Sequence, residues 1–401
     1  HASKKDIFES YLNLVSYGRN IEGVGAASLI YFNKQAHELS LIEALTLSVI
    51  PQNPSKRNPT TRLGTARIIE ARKRLYTLWK KEHGNNEFLH TLVNLPLSMR
   101  DPRQLPFLAP HLVNSINSNL PSLTYGNIYT TLNWNSQKIT EEIIRNYVAR
   151  KKDQGIHNAT ALILNHVTME MEAEVGSADF NDASIDGQVN GVQAKRSPGS
   201  ALKPFVYALA MDQGLIHPMS LLRDAPLRYG GFTPENYDKK FLGPVFARDA
   251  LITSRNVPAV RLQSKLRKLS FYEFLRKANV SKLQEESHYG LSLALGGVEI
   301  TMEELVSLYA MLANGGKLIP IKKHKSQSPD SKNIFFLLSR EASYLTLDIL
   351  KDNPAPADEQ ELGDYRILGE VAWKTGTSYA YRDAWAVGVS GNYVIAVWVG
   401  R

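Results

Sequence analysis

Arg196-Ser197-Pro198-Gly199-Ser200-Ala201-Leu202-Lys203-Pro204-Phe205 is the stretch from which the rest of the chain is read. A serine hydroxyl is a weak nucleophile at neutral pH and needs a base within hydrogen-bond reach. Residues three apart on a helix share a face, so Ser-x-x-Lys on a helix brings a lysine amine to the serine oxygen. That amine acts as a base only if burial or a neighbouring cation lowers its pKa. Pro204 lacks an N–H and its ring clashes with a preceding turn, which confines it to the first turn of a helix. Ser200 is therefore predicted at, or within about a turn of, a helix start. Unpaired backbone N–H groups point outward there, and one can serve an oxyanion. The apolar run Phe205 to Met211 reads as the buried helix that follows.

Alone the motif decides little, because about one or two Ser-x-x-Lys matches arise by chance in a chain of this length. Two further stretches give it weight. Lys374-Thr375-Gly376-Thr377-Ser378 contains the only Lys-Ser/Thr-Gly of the chain and falls on a predicted edge strand, Val371 to Lys374. Ala384 to Val389 and Tyr393 to Val399 follow as a hairpin around Ser390-Gly391-Asn392. A strand glycine often marks close approach of a ligand to the backbone. The Lys374 ammonium with the Thr375 and Thr377 hydroxyls suits a carboxylate. Between the two motifs, Ser254-Arg255-Asn256 lies in a short connection between predicted helices, the second opened by Pro258. Ser-x-Asn also occurs at 115–117, 331–333 and 390–392, so only its place between the other motifs singles it out.

In that order, Ser-x-x-Lys, Ser-x-Asn and Lys-Thr-Gly resemble the signature of penicillin-binding proteins and serine β-lactamases. Pro198-Gly199-Ser200, Lys203-Pro204, Asn256-Val257-Pro258-Ala259-Val260, Leu295-Gly296-Gly297, Ala313-Asn314-Gly315-Gly316 and Asp383-Ala384-Trp385 are similar to the class A penicillin-binding proteins. The tyrosine-bearing Thr377 to Asp383 resembles their 1C subgroup. The resemblance implies a D,D-transpeptidase. Ser200 would attack the carbonyl of a terminal D-alanyl-D-alanine and Lys203 would take its proton. Ser254 would relay a proton to the leaving amine, and Asn256 would orient Lys203. Lys374, Thr375, Gly376 and Thr377 would hold the terminal carboxylate. Peptidoglycan stem peptides and β-lactams are the implied partners. A carboxypeptidase and a binding-only sensor or scaffold remain alternatives. The Glu-x-x-Leu-Asn of fast β-lactam deacylation is absent between Ser254 and Lys374.

Lys4 to Asn13, Gly18 to Ala27 and Tyr31 to Lys34 resemble the last part of a family 51 peptidoglycan glycosyltransferase domain. That family's two catalytic glutamates precede this pattern, so residues 1–401 are expected not to polymerise glycan. Glu9 and Glu43 read as helix-surface or capping residues, Glu43 in the capping box Ser40-Leu41-Ile42-Glu43. A transmembrane helix, which the family carries at its N-terminus, is expected before His1. The implied location is the periplasm or the outer face of the cytoplasmic membrane.

The net charge is +8 and the hydrophobic content 43%, enough for a real core. The absence of cysteine excludes disulfides and thiolate metal sites. No His-Glu-x-x-His occurs, and no metal or other cofactor is expected. No zinc-finger, homeodomain or RNP pattern points to nucleic acid. Arg62 to Lys81 reads as a basic amphipathic helix with Ile68, Ile69, Leu75, Leu78 and Trp79 on its apolar side and Arg67, Arg72, Lys73, Arg74, Lys80 and Lys81 supplying its charge. It is either a solvated face of a core helix or a contact for an anionic membrane surface.

The predicted organisation is an all-α glycosyltransferase remnant over 1–95, a proline-punctuated linker over 96–124 and a transpeptidase domain over 125–401. Thr160 to His166 and Met169 to Val175 form a hairpin that joins the three C-terminal strands in an antiparallel sheet of about five strands. Strands at both ends with helices between give an α+β architecture resembling the β-lactamase/transpeptidase fold.

Overall fold

A computed structural model of the chain describes residues 2–84, 87–102, 105, 107–119, 127–326, 334–354, 370–378 and 382–400. Tyr379 and Tyr381, residues 355–364 of the acidic, proline-containing stretch Asp352 to Asp364, which reads as a surface loop before the Lys374 strand, and residues 120–124 of the predicted linker lie outside the described residues. The chain divides into two compact units, His1–Leu108 and Ala109–Arg401.

The first unit holds helices α1 (Lys4–Leu14), α2 (Val24–Phe32), α3 (Leu41–Val49), α4 (Arg62–His83) and α5 (Glu87–Leu92). Its core gathers Tyr17, Ile21, Tyr31, Leu47, Ile50 and Ile68. The face of α4 differs from the one expected. Gly64, Ile68, Arg72 and Tyr76 form the buried stripe, four residues apart, while Leu78 is exposed. Arg72 is 1% exposed: its guanidinium donates to the Thr46 hydroxyl and to the carbonyls of Val93 and Leu95. A long cation can be buried where carbonyls replace its water. Arg72 thus belongs to the core rather than to a basic outer face, which keeps Arg67, Lys73, Arg74 and Lys81.

The second unit opens with α6 (Pro110–Asn119), inside the stretch expected to be a linker. Leu112 and Ile116 of α6 are buried in the main core of this unit. Pro110 is the first residue of the helix, where its missing N–H costs nothing. Helix α7 (Trp134–Lys151) then leads into the sheet. Strands β1 (Asn158–Asn165), β2 (Glu170–Val175), β3 (Ala372–Thr377), β4 (Asp383–Ser390) and β5 (Tyr393–Gly400) form one antiparallel sheet in the order β2-β1-β5-β4-β3. The five-stranded sheet and its edge strand β3 follow the alternation read from the sequence.

Ile144 of α7 packs on Ala159, Ala161 and Val175 at one face of the sheet. The other face, with Leu162, Trp385, Val387 and Ala396, meets α8 (Lys203–Asp212) and α13 (Met302–Ala313). Between these two lie α9 (Ala247–Ile252), α10 (Asn256–Gln263), α11 (Phe271–Lys277) and α12 (Glu286–Tyr289); α14 (Arg340–Lys351) precedes β3. Helix α8 has no polar face. Every residue from Lys203 to Ala210 is buried, as befits the central helix of the domain. Phe205 meets Tyr309 edge-on, with ring centroids 5.2 Å apart, and stacks on Phe274. Phe205→Ala is expected to lower stability by about 3–5 kcal/mol, measured by denaturant unfolding.

Candidate active site

Ser200 sits in a 3-10 turn, Gly199–Leu202, that runs directly into α8, with Pro204 in the first turn of the helix. Three hydrogen bonds pin this turn. The Tyr309 hydroxyl donates to the Ala201 carbonyl at 2.8 Å. The Trp385 indole N–H donates to the Ser197 carbonyl at 3.0 Å, and the Ser197 hydroxyl donates to the Gly296 carbonyl at 2.7 Å. Glycines let three backbones meet around the serine. A Cβ on Gly376 would lie 2.0 Å from the Pro198 carbonyl oxygen, and one on Gly296 would lie 2.3 Å from the Gly199 nitrogen. Gly199 itself has φ +53°, the left-handed region that glycine enters without strain.

Lys203 is fully buried. Its Nζ donates to the Ser254 carbonyl, to Asn256 Oδ1 at 2.6 Å and to the Ser254 hydroxyl at 3.3 Å. These acceptors use all three donors of a protonated amine. The Ser200 hydroxyl can therefore be activated only when the amine is neutral and has a lone pair free. Burial pushes the Lys203 amine well below its usual pKa, and the neighbouring charges of Lys374 and Arg255 push it in the same direction.

The Ser254 loop joins α9 to α10 and is strained. Ser254 has φ +59°, a conformation that costs a non-glycine residue about 1–2 kcal/mol. The turn aims the Ser254 carbonyl at Lys203. Arg255, the middle residue of the motif, holds the loop from below. Its guanidinium pairs with buried Asp224 at 2.8 Å and with Asp238 at 2.9 Å, and it also donates to the Lys240 carbonyl. Asn236 completes the support. Its side-chain oxygen accepts from the backbone N–H of Asn256 at 2.8 Å, and its amide donates to Asp224 at 2.7 Å. The motif reading named Ser254 and Asn256 but gave Arg255 no role. Asp224, Asn236 and Asp238 carry no local signal, because they reach the loop from a ribbon and a turn distant in sequence.

Lys374 is 2% exposed on β3, opposite Val387 of β4. Burial lowers its pKa to about 8. Thr375, Gly376 and Thr377 continue along the edge strand and form one wall of a cleft of about 870 Å³. Ser200, Ser254 and Asn256 line the same cleft. Lys203 and Lys374 lie beneath its floor, within electrostatic reach of each other. The eight residues singled out from sequence thus converge on one cleft and its floor.

A hydroxyl one turn from a buried amine of lowered pKa, in a cleft walled by a strand that carries a lysine and two threonines, suits acyl transfer. Fold and site together define the class of active-site-serine enzymes built on Ser-x-x-Lys. Residues 159–400 match the model of the penicillin binding protein transpeptidase domain, and residues 1–78 match the transglycosylase model. The chain belongs to the class A penicillin-binding proteins.

Penicillin-binding protein 1C of Escherichia coli is 37% identical over 407 residues, covering 100% of this chain and 50% of the relative. Penicillin-binding protein 1A of Haemophilus influenzae, known from a crystal structure, superposes with a TM-score of 0.73 at 20% identity, covering 100% of this chain and 81% of that one. PonA1 of Mycobacterium tuberculosis, solved in complex with penicillin V, superposes with a TM-score of 0.55 at 20% identity, covering 72% and 79%. The chain spans about half the length of the curated relatives it matches. Among the described residues no helix is long and apolar enough to cross a membrane.

Proposed function

We propose that residues 109–401 form a peptidoglycan D,D-transpeptidase. The observation that carries the reading is the buried Lys203 amine, one turn from Ser200 and engaged by Ser254 and Asn256. The Ser200 oxygen attacks the penultimate D-alanine carbonyl as its proton passes to Lys203. Backbone N–H groups of Ser200 and Thr377 receive the oxyanion, each worth about 3–4 kcal/mol by analogy with other hydrolases. The carbon–nitrogen bond breaks, and Lys203 returns the proton through the Ser254 hydroxyl to the departing D-alanine. Lys374, Thr375 and Thr377 hold the terminal carboxylate. An acceptor amine then attacks the ester, loses a proton to the same relay and releases Ser200. A β-lactam follows the first half of this course and stays bound as the acyl-enzyme. The reaction places the site in the periplasm or on the outer face of the cytoplasmic membrane.

The test uses a stem-peptide thioester with and without a D-amino acid. Transfer to the amine identifies a transpeptidase. Release of the free acid alone identifies a carboxypeptidase, and a stable acyl-enzyme with neither product identifies a sensor.

The reaction needs Lys203 neutral and Lys374 charged. Acylation by penicillin is therefore expected to rise with pH as the Lys203 amine loses its proton. It should fall again above about 8, where Lys374 loses its charge. A second-order acylation profile without the alkaline fall, followed to about pH 10, contradicts the carboxylate role of Lys374.

The reading assigns no glycan polymerisation to residues 1–401. Glu43 accepts from Lys34 Nζ and from the Ser40 backbone, both at 2.8 Å, and Glu9 lies on the exposed surface of α1. Polymer formed from a lipid-linked disaccharide would contradict this part.

A further inference from the structure

Ser254 and Asn256 line the catalytic cleft, but the residue between them turns the other way. The Arg255 side chain is 7% exposed. It reaches into a two-stranded ribbon, Leu221–Asp224 with Gly243–Phe246, and into the connection between its strands.

The contacts there are directional. Asp224 is fully buried and accepts from Arg255 Nε at 2.8 Å, from the Asn236 amide at 2.7 Å and from the Leu242 backbone N–H at 3.1 Å. The two other guanidinium nitrogens go to Asp238, at 2.9 Å, and to the Lys240 carbonyl. A fork with three fixed acceptors holds one orientation, which a flexible point charge could not do. Asn236 extends this anchor to the start of α10. Its Oδ1 accepts from the backbone N–H groups of Asn256 and Val257, at 2.8 and 3.3 Å, where the helix has no side-chain cap of its own. The Glu235 carbonyl accepts from Asn256 Nδ2 at 2.6 Å. With Nδ2 committed there, Oδ1 is the atom left to meet Lys203, and it does so at 2.6 Å.

Charge is the second part of the arrangement. The ionisable groups around the Lys203 amine are Lys374 on β3, Arg255 in the α9–α10 loop and Tyr207 one turn along α8; Asp224 and Asp238 are bound to Arg255. The buried residues of α9, α10 and α14 are uncharged. Burial and the charge of Asp224 push the Tyr207 hydroxyl far up, so it stays neutral. Burial first, then the charges of Lys374 and Arg255, disfavour the ammonium form of Lys203.

We propose that Arg255 is a positioning residue of the reaction, seated on Asp224, whose fork aims the Ser254 carbonyl and Asn256 Oδ1 at the Lys203 amine and whose positive charge stays within electrostatic reach of that amine. The proposal rests on the transpeptidase reading and gives a role to the unspecified position of its Ser-x-Asn motif. Arg255 acts through the loop and through the pH at which Lys203 is neutral. Without the cation the ammonium form is favoured, so the amine becomes a base only at higher pH. Substitution separates the two parts. Glutamine loses the charge and most of the fork, whereas lysine keeps the charge and loses the fork.

The test is the pH dependence of the second-order rate of penicillin acylation for the wild type, Arg255→Gln and Arg255→Lys. Both variants should fall by about 10²-fold at their best pH, the cost of a misplacement of about 1 Å. Only Arg255→Gln should also move its acid limb to higher pH. The alkaline limb belongs to Lys374, which burial lowers to about 8, and should stay in place in all three proteins. The position of a limb is a property of the molecules that react, so partial unfolding does not shift it. If Arg255→Gln does not fold, Arg255→Lys still decides: a lowered rate on an unmoved acid limb supports the proposal, and a wild-type rate or a moved limb overturns it. An acid limb unmoved in Arg255→Gln, or moved equally in both variants, overturns it as well. A wild type that penicillin does not label overturns the transpeptidase reading itself, and the role of Arg255 with it.

Discussion

Lys203→Met is expected to lower the second-order rate of penicillin acylation by on the order of 10³-fold while leaving a folded protein. General-base assistance contributes about 10²- to 10⁴-fold in comparable reactions. Among the described residues Lys374 is the other buried lysine, and its amine is engaged with the Thr375 carbonyl at 3.2 Å. Methionine fills nearly the volume of lysine without requiring a buried amine, and such exchanges are often tolerated by the fold. The Ser254 carbonyl and Asn256 Oδ1 lose their donor, an unmet need of about 1–3 kcal/mol per buried group. A modest loss of melting temperature with a near-complete loss of acylation is the expected pair of results. Acylation within about 10-fold of wild type would mean that Lys203 is structural.

Gly376→Ala is expected to be nearly as damaging although it adds one methyl. The new Cβ would lie 2.0 Å from the Pro198 carbonyl oxygen and 3.0 Å from Ala201, both in the segment that carries Ser200. Neither neighbour is the end of a flexible side chain. Strand β3 must therefore move away from the Ser200 turn, taking Thr375 and Thr377 with it. A misplacement of about 1 Å can cost about 10²-fold in rate. Stopped-flow acylation should show that loss, whereas Gly231→Ala, at a glycine with open space around it and no positive φ, should leave the rate unchanged. Equal rates for Gly376→Ala and wild type would show that the strand does not need its close approach.

Much of this site was legible because its parts announce themselves locally. Pro204 can stand only in a first turn, which placed Ser200 before α8. The alternating Ala384 to Val389 and Tyr393 to Val399 could only be strands with one buried face, and they fixed β3 as the edge. What escaped the sequence is what depends on distant partners. In the sequence Pro110 is linker punctuation, but proline is equally at home as the first residue of a helix, and only the burial of Leu112 and Ile116 decides between the two. Arg72 looked like a surface charge because the carbonyls that receive it, Val93 and Leu95, lie twenty or more residues away. The Arg255 clamp was hidden for the same reason. Its acceptors come from Asp224, Asp238 and Lys240, and no periodicity links those positions. The local strain at Ser254 was not visible either, because a serine at positive φ exists only where its surroundings enforce it.

The central claim is that Ser200 is the nucleophile. Its most direct test is the mass of the intact protein after incubation with a penicillin, for the wild type and for Ser200→Ala. The wild type should gain the mass of one penicillin, on the peptide that contains Ser200, and the variant should gain none. A variant that still gains the adduct, or a wild type modified on any other residue, would contradict the account.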